Sequence, residues 1–189
     1  MENGNTLYQM TKTITHINCP KEWYSENDWD SHRPLLWLIA NNNLIKTIIE
    51  VGVGDGSTPL LKSLKNKTVY SFETNKEWAD KYDNVGVLST YKNLSSILDD
   101  EGIGRLYGSI DLLFVDSSPG EERKEIIELF SNDAKVIVAH DTEPGAEYVY
   151  GMSKILNSFK YRLDYQPKGK PHTTAVSNFI DVTQWINQS

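Results

Sequence analysis

Three groups of residues in this chain have both the type and the spacing for chemistry. Glu50, Gly52, Gly54 and Gly56 alternate through K-T-I-I-E-V-G-V-G-D-G-S-T-P-L-L, residues 46–61. Glycines at such a turn permit positive φ and let a ligand approach the backbone closely. Glu73 lies seventeen residues beyond Gly56 at the end of T-V-Y-S-F-E, where a carboxylate can accept hydrogen bonds from both hydroxyls of a ribose. The third group is Asp116, which opens D-S-S-P-G-E-E-R, with His140 and Asp141 in A-H-D-T-E. Asp116 or His140 can serve as a general base toward a weakly acidic hydroxyl. Asp141 can orient the imidazole and raise its pKa, or face a substrate itself; His140 and Asp141 can equally be a structural pair tying a strand end to a loop.

These groups need a scaffold that gathers them. Thr47 to Val51 is an apolar, β-branched run suited to a strand buried on both faces. Ser57 or Thr58 can cap the helix that follows, with Pro59 in its first turn. Further strands are expected over 68–72, 85–88, 109–115 and 135–139, alternating with helical stretches over 76–82, 94–98 and 121–130, a Gly102-Ile103-Gly104 break, and a last helix over 148–159. Strands over 161–166 and 173–180 close the chain as a hairpin around P-K-G-K-P. The pattern predicts an α/β, Rossmann-like fold: a seven-stranded, mostly parallel sheet with a C-terminal antiparallel hairpin and helices on both faces. Ligands in such sheets bind beyond the carboxyl ends of the strands where strand order reverses, which brings the glycine loop, Glu73, Asp116, His140 and Asp141 to one edge.

The E-x-G-x-G-x-G segment resembles motif I of the class I S-adenosylmethionine-dependent methyltransferases. A dinucleotide fingerprint would need a third glycine where Ser57 stands, which disfavours a nicotinamide oxidoreductase. The D-S-S-P-G and H-D-T-E segments look like a small, incompletely characterised methyltransferase-like branch, and more loosely like plant glycan O-methyltransferases acting on a uronic acid. The resemblance covers the chain from about Asp30 to its end. It implies S-adenosyl-L-methionine held by Glu50, Gly52, Gly54, Gly56, Ser57, Glu73 and Asp116, and methyl transfer, at oxygen, to a small-molecule or glycan acceptor facing Asp116, His140 and Asp141. A non-catalytic cofactor-binding subunit is the alternative. Catechol-type members bind Mg2+ at the positions of Asp116 and Asp141, but their Asp-Asn pair is His-Asp here, so a metal-free site is favoured.

His32 and Arg33 open a helix whose apolar face is Leu35, Leu36, Leu38 and Ile39, with Asp30 or Ser31 as its cap. Both can face the substrate or simply end a solvated turn. Arg123 can clamp an acidic substrate or pair with Glu121 or Asp141. Residues 1–30 read as an accessory segment before a methyltransferase-like domain over 31–189. Residues 1–13 fray or add an edge; residues 14–30, with Trp23, Tyr24, Glu26 and Trp29, form a flap over the substrate or a clamp on the body.

The 189 residues fit one substantial core. The sequence lacks a signal-peptide pattern and any apolar run long enough for a membrane span, which points to a cytoplasmic protein without a membrane partner. The formal net charge of -7 disfavours nucleic acid as partner. The lone Cys19 rules out an intrachain disulfide. The composition carries no signal for oligomeric state.

Overall fold

The computed structural model describes residues 9–24, 27–100 and 110–188. Glu26 and the Gly102-Ile103-Gly104 break lie outside the described residues, as does Ser109 at the expected start of the fourth strand. The strands are β1 (Met10–Ile14), β2 (Thr47–Val51), β3 (Thr68–Glu73), β4 (Val85–Val87), β5 (Ile110–Val115), β6 (Ala134–His140), β7 (Tyr161–Tyr165) and β8 (Thr173–Ser177). The helices are α1 (Arg33–Ala40), α2 (Thr58–Ser63), α3 (Lys76–Ala79), α4 (Leu94–Asp100), α5 (Glu122–Phe130), α6 (Glu147–Tyr150) and α7 (Ser153–Leu156).

All eight strands form one sheet in the order β1-β7-β8-β6-β5-β2-β3-β4. The sheet is therefore one strand larger than expected. The extra strand is β1, which pairs in parallel with β7 from Met10 opposite Tyr161 to Ile14 opposite Tyr165. Only β8 runs against its neighbours, antiparallel to both β6 and β7. Strand order reverses at β2, which lies between β3 and β5. The tips of β2 and β5 thus flank the crevice in which this architecture binds ligands.

Alternation along the central strands divides the core between the two faces of the sheet. Leu113, Val115, Ile137 and Ala139 pack with Ile126, Ile127 and Phe130 of α5, whereas Leu112, Phe114, Val136 and Val138 pack with Leu35, Leu36 and Ile39 of α1 and Leu60 and Leu61 of α2. Both faces are covered, so β5 is buried at every position, as a near-continuous apolar run requires.

Three expected elements fall short of their patterns by more than one residue, and one of them, the helix expected over 76–82, ends at Ala79. The last helix is two, α6 and α7, because Gly151 takes the left-handed conformation (φ 60°) and its N–H bonds the Glu147 carbonyl, ending the first helix. The last strand stops at Ser177, whose hydroxyl accepts the N–H groups of Phe179 and Ile180 and turns the chain. Among the described residues, no helix is long and apolar enough to cross a membrane.

Candidate active site

The glycine loop between β2 and α2 is tied down from beneath. Gly52 has φ 89°, and a Cβ there would collide with the Asp116 carbonyl and lie 2.7 Å from Ser117 Cα. Gly52 is what lets the tips of β2 and β5 touch. At Gly54 a Cβ would meet no heavy atom within 4 Å, so this glycine opens onto space. Arg33 holds the loop from the side: its Nε donates to the Gly56 carbonyl (3.0 Å), one terminal nitrogen to the Asp55 carbonyl (2.7 Å), and the other pairs with Asp30 (3.2 Å).

Glu50 is fully buried. Oε1 accepts from the hydroxyls of Ser57 (2.6 Å) and Thr58 (2.9 Å), and Oε2 from Ser71 (2.6 Å). Burial outweighs these three bonds and raises its pKa. The two hydroxyls expected to cap α2 are thus directed to Glu50, and Ser57 makes no side-chain cap bond. Glu50 and Ser57 brace the loop.

Glu73, at the tip of β3, has one oxygen crowded and one partly open. Oε1 takes the N–H groups of Thr74 (2.7 Å) and Asn75 (2.8 Å) and the Tyr91 hydroxyl (3.3 Å), whereas among the described residues Oε2 takes only the Val53 N–H (3.0 Å). A carboxylate oxygen has two acceptor sites, so Oε2 retains one beside the loop.

The third group converges as the topology predicts and includes His32. Asp116 follows β5, with one carboxylate oxygen 3.3 Å from His140 Nδ1 and 3.8 Å from His32 Nδ1. Its other oxygen lies 2.9 Å from Arg123, whose neighbouring terminal nitrogen is 2.9 Å from Asp141. Arg123 is buried, donates from Nε to the Ser117 carbonyl (2.9 Å), and its guanidinium lies 4.4 Å from the Tyr150 ring. Of the alternatives the sequence left open for Arg123, pairing with Asp141 is realised, and Asp116 joins it. The guanidinium bridges the two carboxylates.

Electrostatics follow from this geometry. Burial alone would raise the Asp116 pKa, but His140, Arg123 and His32 outweigh it and hold the carboxyl well below the usual range. Burial alone would lower His140, yet Asp116 and Asp141 raise it. His32 is pushed down to about 3, by burial first and then by His140. His32 is therefore neutral, and its contact with Asp116 is not an ion pair. Both His32 ring nitrogens are buried without a hydrogen-bond partner among the described residues.

Two lobes meet at this cluster. One, of about 740 Å³, is lined by Glu73, Ser117, Arg123, His140, Asp141 and Tyr150; the other, of about 470 Å³, by His32 and the loop from Gly52 to Ser57. Trp29, Val53, Trp78 and Asp116 line both, so the lobes are one cleft, of a size suited to a cofactor-sized ligand. Another groove, of about 470 Å³ beside Asn41–Leu44 and Trp185, contains none of these residues. Of the aromatic segment, Trp23 packs against the core as a clamp on the body would, while Trp29 is 87% exposed and lines the cleft.

Sequence reasoning missed Ser71, Tyr91, Tyr150 and the Ser31 hydroxyl as site residues. Ser71 carried a signal, being a hydroxyl in an otherwise apolar strand. Its partner Glu50 is its register neighbour.

No family model and no curated protein matches the sequence. Solved structures do match the fold. The METTL16 methyltransferase domain superposes with a TM-score of 0.53 at 14% identity, covering 88% of this chain and 74% of that one. A protein described as a caffeoyl-CoA O-methyltransferase from Staphylococcus aureus gives 0.56 at 12% identity, covering 82% and 86%. A methyltransferase-like protein from Silicibacter pomeroyi gives 0.53 at 14%, covering 83% and 91%. With its reversal of strand order at β2 and its antiparallel β8, the chain has the Rossmann-like α/β fold of the class I methyltransferases.

Proposed function

We propose that the chain is an S-adenosylmethionine-dependent methyltransferase acting at a hydroxyl of a small molecule or glycan. The observation that carries this reading is the single cleft that joins an open glycine loop and a ribose-ready carboxylate to a pair of carboxylates held by one arginine. The fit to the cofactor is local. Gly54 leaves free the volume that a side chain would occupy, and Glu73 Oε2 keeps an acceptor site for a ribose hydroxyl. Glu50 and Ser57 serve by fixing the loop, and Gly52 by bringing Asp116 against it. When bound, the cofactor supplies an electrophilic methyl on a sulfonium.

The protein's own task is to present an oxygen in line with that methyl and to receive its proton. Asp116 stands where the lobes meet, with its side chain 20% exposed, and is the group best placed to accept the hydroxyl's hydrogen bond. Asp141, 21% exposed, flanks it. Arg123 holds both carboxylates in place, which suits it to positioning rather than to clamping an acidic substrate. His140 stands behind Asp116.

Calorimetric titration with S-adenosylmethionine and S-adenosylhomocysteine tests the reading, with NADH as control. Binding of the first two and not of NADH is expected, and Glu73→Ala should weaken it by about 1–3 kcal/mol, the scale of a lost charged hydrogen bond. If neither sulfur ligand binds, the assignment fails. If both bind yet no methyl reaches any hydroxylated acceptor in a broad screen, a non-catalytic binding subunit is the better description.

A further inference from the structure

We infer that His32, His140 and Asp116 form a binding site for a divalent transition-metal ion, taken through two imidazole nitrogens and one carboxylate oxygen. The site uses the Asp116 oxygen that faces the two imidazoles, not the one that Arg123 holds, and it does not depend on the methyltransferase reading.

The argument begins with a tautomer. The Ser31 hydroxyl donates its one proton to the Pro171 carbonyl (3.0 Å) and lies 2.9 Å from His140 Nε2. Ser31 must therefore accept from Nε2–H. That leaves His140 Nδ1 facing Asp116 Oδ2 at 3.3 Å, so a cation, either a proton or a metal, belongs between them. Metal-bound histidines commonly anchor their other ring nitrogen in this way, and such anchoring fixes the ring and its ligating lone pair.

The second observation is His32. The residue is 2% exposed, and neither ring nitrogen has a hydrogen-bond partner among the described residues. A buried polar atom left unpaired is costly, and each case calls for an explanation. The ring sits edge-on to His140 with centroids 4.7 Å apart, and its Nδ1 is 3.8 Å from the same Asp116 oxygen. A cation at this point would use a lone pair that the protein leaves idle.

The spacing fits. The three ligand atoms lie within 4.8 Å of one another, and bonds of about 2.0–2.2 Å place two ligands of one ion roughly 2.8–4.4 Å apart. The separations of 3.3 and 3.8 Å from Asp116 fall in that range, and a small ring rotation brings in the third pair. Three protein ligands leave positions open toward the cleft, which His32 lines from one lobe and His140 from the other. Two imidazoles and a carboxylate suit zinc, cobalt, nickel or iron, whereas magnesium prefers oxygen. An ion here would lower the pKa of a hydroxyl bound at an open position.

The test uses the full chain, without a histidine tag and stripped with EDTA, titrated with Co2+ and followed by its visible d–d bands. One equivalent should bind, Zn2+ should displace it, and excess Mg2+ should not. His32→Leu, which keeps an apolar side chain against Phe114, should weaken binding at least about 100-fold, and Ser31→Ala about 10–100-fold, as outer-shell losses do. Should the His32 variant not fold, the wild-type Co2+ form decides the matter. It should show hyperfine-shifted, exchangeable imidazole N–H resonances from two histidines, and fewer than two overturns the site. Absence of stoichiometric Co2+ binding, or binding undiminished in folded His32→Leu, also overturns it. None of these readouts requires S-adenosylmethionine, so the site and the methyltransferase reading can fail separately.

Discussion

Two glycines two residues apart should respond in opposite ways to the same substitution. At Gly52 an alanine would hold φ near 89° and push its Cβ into the Asp116 carbonyl and to within 2.7 Å of Ser117 Cα. The left-handed backbone costs about 1–2 kcal/mol, and forcing a methyl between two strand tips adds about 1–3 kcal/mol. For a chain of 189 residues, at about 2–4 °C per kcal/mol, Gly52→Ala should lower Tm by roughly 4–20 °C. At Gly54 the backbone is outside the left-handed region and the new methyl meets nothing within 4 Å. Its N–H donates to the Thr58 hydroxyl and its carbonyl accepts the Thr58 N–H, both 3.1 Å, and neither bond uses the position a Cβ at residue 54 would take. Gly54→Ala should therefore leave Tm unchanged or raise it slightly, through the smaller entropy of the unfolded chain. The methyl does occupy the floor of the cleft, so affinity for S-adenosylhomocysteine should fall at least about tenfold, or ~1.4 kcal/mol. Differential scanning fluorimetry and calorimetric titration read the two effects independently. Undiminished ligand affinity in Gly54→Ala would mean that no ligand lies over this loop, and equal destabilisation by both substitutions would mean that the loop geometry is wrong.

Glu50→Ala should destabilise the fold by about 3 kcal/mol or more in urea unfolding, because three buried hydroxyls lose their acceptor at about 1–3 kcal/mol each, while Glu50→Gln should cost less. The raised Glu50 pKa means that the folded state holds this proton more tightly, so stability declines as pH rises from the unfolded value of about 4.3 through the raised one; Glu50→Gln should flatten that decline, and an unchanged slope would contradict the assignment. Asp111 behaves oppositely: burial would raise it, but Lys135 at 2.6 Å and the N–H groups of Thr47 and Lys46 depress its pKa. Asp111→Asn should cost about 1–3 kcal/mol at pH 7, and the gap should close as pH falls through the depressed folded value. Trp29→Ala should leave stability within about 0.5 kcal/mol yet reduce the fluorescence change caused by S-adenosylhomocysteine; a large fall in Tm would make Trp29 a clamp on the body instead.

The features that sequence made legible are those whose causes are local. Strand, glycine turn and helix follow one another within 46–61, and a carboxylate that ends an apolar strand reaches the same edge whatever the remote loops do. β1 was legible only as one of two alternatives, an added edge or a frayed end, because Met10–Ile14 alternates without a clear apolar face and its strand character comes from β7, some 150 residues later. Gly151 was visible as a residue, but its effect was not, since the apolar spacing on either side continues across it.

The site divides along the same line. Glu50 was picked out for its position before the glycines, but where its oxygens point is decided by Ser71, which reaches it only through the pairing of β2 with β3. His32 looked like one end of an ordinary helix. What sets it apart is that Phe114, Asp116 and His140 close over it from β5 and β6, a contact across more than eighty residues that no spacing in the chain announces. An imidazole in that place neither caps α1 nor pairs with a carboxylate as a cation, and apolar packing alone would be met more cheaply by leucine. Its two idle nitrogens are thus the strongest sign that the cleft is incomplete without something that takes a lone pair.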